Sequence, residues 1–109
     1  MENKKQLEAQ PNNLSNLINY QEGAVVSRTL IDKKAGTVTL FAFDEKQGLS
    51  EHTAPFDAMV IILEGTAEVT IAGKPVTLNQ GETTIMPANK THALSAVTRF
   101  KMLLIMIKA

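Results

Sequence analysis

Short apolar runs alternate with turn-forming residues over most of the chain. From Ala24 onward these runs are rich in β-branched and aliphatic side chains, which is typical of β-strands. Segments containing Gly, Pro or Asn separate the runs and predict turns. We therefore predict an all-β domain of eight or nine strands, eight of which lie near residues 25–31, 37–43, 59–63, 66–71, 76–78, 83–86, 92–97 and 100–107.

Two of the predicted strands contain runs that are apolar at every position instead of alternating. These runs, residues 59–63 and 102–107, predict strands that are buried on both faces. One small sheet cannot cover both faces of its own strands, so we expect a sandwich or a closed barrel. A second subunit can also cover such a strand, and we expect a homodimer whose shared surface includes Phe100–Ile107.

The residues before the first strand differ in composition from the rest. Residues 1–13 are polar, which predicts a loose leader, and residues 14–18 have the apolar spacing of one helical turn. We therefore divide the chain into a leader, residues 1–22, and a barrel domain, residues 23–109. The leader lacks the continuous apolar stretch of a signal peptide, and we expect a cytoplasmic protein.

Charge and cysteine content narrow the classes of function. Eleven Lys and Arg balance eleven Asp and Glu, so the chain has no excess of positive charge to attract nucleic acid or an anionic membrane. We expect neither as a partner. The chain has no cysteine, which excludes disulfides and thiolate nucleophiles and leaves only nitrogen and oxygen atoms as metal ligands.

The two histidines, His52 and His92, are the candidates for chemistry, because each lies beside a predicted turn. A histidine in such a place is most often a packed, hydrogen-bonded side chain. It can also serve as a metal ligand or transfer a proton. A separation of forty residues does not decide between these roles.

The segments around the two histidines resemble the two motifs of the small, single-domain type-2 cupins. Residues 48–65 fall on the first motif, G-x5-H-x-H-x(3,4)-E-x6-G, and residues 81–96 fall on the second, G-x5-P-x-G-x2-H-x3-N. The positions that match are His52, Gly65, Gly81, Pro87 and His92. The resemblance covers about residues 37–107 and implies a double-stranded β-helix, the jelly-roll or cupin barrel, preceded here by a short irregular or one-turn helical segment.

The chain departs from both motifs at functional positions. Ala54 replaces the second His and Ala58 replaces the Glu, and at three further positions Lys46, Asn89 and Ala96 replace Gly, Gly and Asn. Metal-binding cupins use three His and one Glu, so the resemblance implies only His52 and His92 as candidate ligands of a divalent ion such as Fe, Mn, Ni or Zn. Two imidazoles bind such an ion poorly without a third ligand.

A third metal ligand has two acidic candidates on the chain. Asp57 lies next to the lost Glu, and Glu51 lies next to His52. Strand alternation turns both carboxylates away from the interior unless the backbone bulges, and Pro55 leaves room for a bulge. Asp57 is our third candidate, with solvent or substrate as the alternative.

The two alanines also remove volume and charge from the implied barrel interior. Apolar side chains flank them, and Met adapts well to irregular ligands. Ordinary core packing is the alternative for such residues. We predict a ligand pocket lined by His52, Ala54, Phe56, Ala58, Met86, His92, Met102 and Met106.

Two functions follow from these observations. The first is a binding module that holds a small, largely apolar molecule, with the two histidines as polar anchors. The second is a metal-dependent cupin enzyme of the dioxygenase, isomerase or cyclase type, or a metal-free enzyme with a histidine as general base. The sequence favours binding and leaves open whether the protein is catalytic.

Overall fold

Nine strands and one short 3-10 helix form the regular structure of residues 7–108, the part of the chain that the computed structural model describes. No helix in that part is long and apolar enough to cross a membrane. The 3-10 helix, Leu14–Leu17, lies where the sequence predicts a helical turn. The strands are β1 (Val25–Lys33), β2 (Gly36–Phe43), β3 (Gly48–His52), β4 (Asp57–Glu64), β5 (Thr66–Ile71), β6 (Lys74–Asn79), β7 (Thr83–Met86), β8 (His92–Ala96) and β9 (Phe100–Ile107).

The strands form two antiparallel sheets that face each other. The five-stranded sheet has the order β1-β2-β9-β4-β7, and the four-stranded sheet has the order β3-β8-β5-β6. Neighbours that are distant in sequence, such as β2 and β9, show that the chain crosses repeatedly between the sheets. One core joins the sheets, with Val60 and Met102 from the first and Val69 and Leu94 from the second. The predicted all-β jelly roll is confirmed.

Strand β3 is not among the eight strands whose positions the sequence predicts. Its sequence, Gly-Leu-Ser-Glu-His, has one apolar residue and follows a turn, so composition alone favours a loop. It lies at the edge of the four-stranded sheet, pairs only with β8, and its register shifts between Leu49 and His52. The sheet edge supplied by β8, and not β-propensity, holds this segment extended.

The two uninterrupted apolar runs are covered differently on their two faces. On β4, Ala58, Val60 and Ile62 point into the core and are buried, whereas Met59 on the opposite face is exposed. The inner side of the run therefore meets the other sheet, as expected for a sandwich or barrel. The outer side is covered only in part, and the cover comes from this chain's own N-terminal segment.

That segment, residues 7–20, is called the N-terminal strap here, because part of it packs on the outside of the five-stranded sheet. Ile18 is buried there against a cluster that includes Leu40 and Leu103. The ammonium group of Lys101 donates to the Ser15 carbonyl at 2.6 Å and forms an ion pair with Glu64 at 2.9 Å. These contacts tie the predicted helical turn, residues 14–18, to the outside of the sheet.

Three motif positions have a left-handed backbone conformation, which explains the Gly and the Asn found at two of them. Gly65 has φ +81°, and a Cβ atom at this position would clash with the carbonyl oxygen of Arg99. Lys46 and Asn89 stand where the cupin motifs have Gly, and both adopt positive φ, 66° and 64°. Asn is among the residues that tolerate this left-handed conformation, whereas a Lys there is strained. Both substitutions keep the turn that the motif requires.

Candidate ligand-binding cavity

A cavity of about 290 Å³ lies between the two sheets. The structure brings together in its wall all eight residues that the sequence predicts for the pocket. Four further apolar residues, Phe41, Leu49, Leu94 and Leu104, complete the lining. Ten of the twelve lining residues are apolar, and the two histidines are the exceptions. The cavity wall is therefore apolar except at the pair of histidines.

The four residues that sequence reasoning missed share one signal. Phe41 alternates with Leu40 and Ala42, which belong to the cluster on the outer face, so its own side chain faces inward. Leu49 and Leu94 lie directly opposite each other on β3 and β8 and line the cavity as a pair. Alternation along the predicted strands identifies Phe41, Leu94 and Leu104, whereas Leu49 is identified only when β3 is known to be a strand.

The alanines of the first motif shape the empty space. Ala58 lies on β4 directly between Met86 of β7 and Met106 of β9, and all three line the cavity. Ala54 lies in the segment between β3 and β4, and its carbonyl accepts a hydrogen bond from the Asn89 amide at 2.8 Å. A methyl group in place of a larger motif side chain leaves space at both positions, because the surrounding strands are fixed by their hydrogen bonds.

The two histidines are cross-strand neighbours at the ends of β3 and β8. Their Cα atoms are register partners, and the ring centroids lie 4.4 Å apart with an interplanar angle of 76°. The Nδ1 atom of His52 lies 2.7 Å from the Ser50 carbonyl oxygen. Because a carbonyl only accepts, this contact places a proton on Nδ1 and leaves Nε2 of the neutral ring as an acceptor.

His92 has a different environment from His52. His92 is 5% exposed whereas His52 lies at the surface. Burial lowers the pKa of His92, the nearby His52 lowers it further, and the backbone of Lys90 acts weakly in the opposite direction. The Nδ1 atom of His92 is buried and meets no partner at hydrogen-bond geometry among residues 7–108. A buried polar atom without a partner is costly, so the ring of His92 is the least well satisfied polar group in the cavity wall.

A second buried polar atom without a partner in the described structure lies beside the cavity wall. It is the hydroxyl oxygen of Thr37 on β2. Thr37 is the cross-strand neighbour of Met106, which lines the cavity. The sequence gives no sign of this hydroxyl, because a threonine in a strand is most often an ordinary β-branched residue. Its position adds a second polar group at the margin of the same space.

The predicted third metal ligand does not join the histidines. The carboxylate of Asp57 accepts a hydrogen bond from the Ala88 amide at 2.9 Å, and Asp57 does not line the cavity. Strand alternation explains this, since Ala58 faces inward and its neighbour Asp57 faces outward. Within residues 7–108 no three His, Cys, Asp or Glu side chains lie close enough together to hold a metal ion. The donor set therefore does not fit the divalent ion that the cupin motifs imply.

Comparison with known proteins agrees with this architecture. A family model for the cupin domain, Cupin_2, matches residues 39–108. No curated protein matches the chain. The match covers both motif segments and most of the strands, so it includes the whole wall of the cavity.

Solved structures with the same fold include proteins of related sequence. A conserved protein of unknown function from Streptococcus pyogenes is 37% identical with a TM-score of 0.90, over 94% of this chain and 90% of its own. A cupin superfamily protein from Desulfitobacterium hafniense is 30% identical with a TM-score of 0.89, over 94% of each chain. A cupin 2 conserved barrel domain protein from Leptotrichia buccalis is 39% identical with a TM-score of 0.87, over 89% of this chain and 47% of its own. The chain belongs to the cupin family.

Proposed function

We propose that this cupin barrel binds a small, largely apolar molecule in the cavity between its sheets, with His52 and His92 as the polar anchors. The observation that supports the proposal most is the composition of the cavity wall, in which a single histidine pair interrupts an otherwise apolar lining. Ligand pockets commonly combine a hydrophobic wall with a few polar groups that fix orientation. An ordinary core would fill this space with side chains.

The size of the cavity restricts the ligand. A volume of about 290 Å³ lies at the lower end of the roughly 300–1,000 Å³ that is usual for small-molecule pockets. We expect a compact molecule of one or two rings, or an aliphatic chain of similar volume. The three methionines in the wall, Met86, Met102 and Met106, can adjust to an irregular shape.

The histidine pair restricts the polar end of the ligand. The contact with the Ser50 carbonyl places a proton on Nδ1 of His52, so Nε2 is the ring nitrogen left to contact a ligand. The lowered pKa of His92 keeps its ring neutral at pH 7. Neutral imidazoles accept a hydrogen bond from a hydroxyl or amine and offer no full charge to an anion. We therefore expect a ligand that carries a hydroxyl group in preference to one that carries a carboxylate.

The test compares matched probes and matched variants. Binding of 4-methylphenol, toluene and 4-methylbenzoate is measured by calorimetry and by ligand-observed NMR, together with a diverse library of small apolar compounds. We expect 4-methylphenol to bind most tightly. Ala54→Leu should weaken its binding at least about tenfold by filling the cavity, whereas Ala35→Leu, on the exposed turn between β1 and β2, should not.

Two results would overturn the proposal. One is the absence of binding to any compound of the library by folded, metal-free protein. The other is binding that Ala54→Leu leaves unchanged, since the ligand would then lie outside the cavity. Elemental analysis of untagged protein, wild type and His52→Ala/His92→Ala, addresses the enzyme alternative: metal that is near-stoichiometric and lost in the variant would favour it. A cytoplasmic location stays a prediction, as does the expectation that neither nucleic acid nor membrane is a partner.

A further inference from the structure

One row of directly opposed residues crosses the inner face of the five-stranded sheet beside the cavity. It consists, in strand order, of Asp32, Thr37, Met106, Ala58 and Met86. Directly opposed residues share one face of a sheet, and the last three members of the row line the cavity. Thr37 and Asp32 therefore lie on the cavity side of the sheet. We call this set the inner row.

Alternation along β2 places Thr37 on the same face independently. Strand β2 pairs with β9 from Gly36 to Phe43 without a shift of register. Phe41 lines the cavity and Phe43 belongs to the core between the sheets. Thr37 precedes Phe41 by four residues, an even number, so its side chain points to the same side of the strand.

The hydroxyl group of Thr37 has no structural role that the fold explains. Its oxygen is buried and meets no hydrogen-bond partner within the described part of the chain. A valine has the same branching at Cβ and would avoid the cost of burying an unpaired hydroxyl. The next member of the row, Asp32, is exposed. The inner row therefore changes from apolar to polar directly beside the cavity.

The two polar parts of the cavity surroundings lie on opposite sheets. His52 and His92 end β3 and β8 of the four-stranded sheet, whereas Thr37 belongs to the five-stranded sheet. Packed sheets are separated by roughly 10 Å, and side chains from both sheets project into that space. Met106 is the member of the inner row between Thr37 and Ala58, and its unbranched side chain can move aside for a ligand group that reaches the hydroxyl.

We propose that the ligand of this cavity carries two neutral hydrogen-bonding groups, one at the histidine pair and a second at the hydroxyl of Thr37. The inference rests on the proposed function and makes Thr37 the residue that determines specificity for the second group. A threonine hydroxyl both donates and accepts, so it suits a hydroxyl on the ligand. The expected class is a compact ring or chain with a hydroxyl group at each end, such as a phenol that carries a short hydroxyalkyl chain opposite its own hydroxyl.

The test uses two probes that differ by one hydroxyl, 4-ethylphenol and 4-(2-hydroxyethyl)phenol, with binding measured by calorimetry. Wild-type protein should bind the two-hydroxyl probe about fivefold more tightly, which corresponds to one net hydrogen bond. Thr37→Val should reverse this order, because the second hydroxyl of the probe is then buried without a partner. Thr37→Ser keeps the hydroxyl and should preserve the order. Thr77→Val removes the same group from an exposed position on β6 and should change neither affinity.

Unfolding in urea without any ligand supplies a second readout. Thr37→Val should have a midpoint equal to or above that of wild type, because no partner of the hydroxyl is lost. A clearly lower midpoint would show that the hydroxyl is bonded within the fold, and this result overturns the inference. Circular dichroism confirms that each variant is folded before its binding is measured.

The binding results separate this inference from the proposed function. Suppose that both probes bind and that Ala54→Leu weakens both, so that they occupy the cavity. Equal affinities of wild-type protein for the two probes, or an equal effect of Thr37→Val on both, then overturn the role of Thr37 and leave the proposed function in place. If neither probe binds, or if Ala54→Leu changes nothing, the proposed function itself fails for these ligands and the inference fails with it.

Discussion

The two ends of the barrel interior are built from the same strands but are filled differently. At one end Phe43 and Phe100 stack with ring centroids 4.4 Å apart and nearly parallel planes, and Ile62 is buried in the same core. At the other end β4 contributes Ala58, and a cavity remains. Phe41, which packs 5.9 Å from Phe43 and lines the cavity, connects the two ends.

This difference separates the residues that stabilise the fold from those that shape the site. The closed end contains no exposed core side chain, and buried aromatic and aliphatic groups of this kind contribute much of the hydrophobic stabilisation of a fold. The open end contains two alanines at positions where the cupin motifs have a His and a Glu. It also contains a buried imidazole nitrogen without a partner among the described residues. We therefore expect substitutions at the open end to cost less stability than substitutions at the closed end.

The largest expected effect is on stability, from removal of a ring at the closed end. Phe100→Ala should lower the free energy of unfolding by about 3–5 kcal/mol, since it leaves a cavity in a close-packed core. Met106→Ala at the open end should cost less than about 2 kcal/mol, because one side of Met106 already faces empty space. Urea denaturation of both variants measures the difference. Equal losses would show that the two ends are equally packed.

The next effect concerns the turn that closes the first motif. Gly65→Ala should lower the free energy of unfolding by about 2–4 kcal/mol, because positive φ and a clash with the Arg99 carbonyl act together. Gly73→Ala is the matched control, since Gly73 has the same φ of +81° but nothing within 4 Å of an added Cβ. It should cost only about 1–2 kcal/mol. The same urea titration compares them, and a loss as large for Gly73→Ala would assign the effect to φ alone.

Replacing one alanine by valine at each end compares the two ends directly. Ala67→Val at the closed end adds volume to a fully buried position and should cost about 1–3 kcal/mol. Ala58→Val at the open end adds the same volume beside the cavity and should change stability by less than about 1 kcal/mol. Thermal and urea unfolding report both values. If Ala58→Val is the more destabilising of the two, the space beside Ala58 is not available to a side chain.

The smallest expected effect is a dependence of stability on pH at the open end. The folded-state pKa of His92 is lowered by burial and by His52, so between that pKa and the unfolded value of about 6.5 the unfolded chain binds more protons. Stability should therefore fall as the pH decreases below about 6.5, by at most about 1.4 kcal/mol per pH unit from this group. Urea midpoints between about pH 7.5 and 5.5 measure the slope. His92→Gln should flatten it, and an unchanged slope would assign the dependence to other groups.

Much of the fold follows from local sequence patterns. Eight of the nine strands of residues 7–108 overlap runs that the alternation of apolar and turn-forming residues predicts, and the 3-10 helix lies where the spacing of Leu14 and Leu17 indicates a turn. The exception, β3, has too few apolar residues to be distinguished from a loop. Pairing with β8 makes it a strand, and no local property of five residues encodes a neighbour more than forty residues away.

The candidate site divides in the same way. The resemblance to the cupin motifs and the apolar residues around them named His52, His92 and six apolar residues, and the structure places all eight in the wall of one cavity. That this cavity binds a ligand stays a prediction. Spacing could not exclude Asp57 as a ligand, since a bulge near Pro55 would have turned it inward. It also could not identify the unpaired Nδ1 of His92, because the hydrogen bonds of a side chain depend on residues from several strands.

The sequence by itself determined the all-β class, the two motifs and the turn residues, because these depend on neighbours along the chain. Only the tertiary structure decided that the strap covers one part of the outer sheet face and leaves Met59 and Ile85 exposed on another. It also decided that a cavity remains beside the two alanines, because the surrounding strands do not move in to fill the space. Both results depend on how far two sheets and a distant segment can approach each other, and close packing of the whole chain sets that distance.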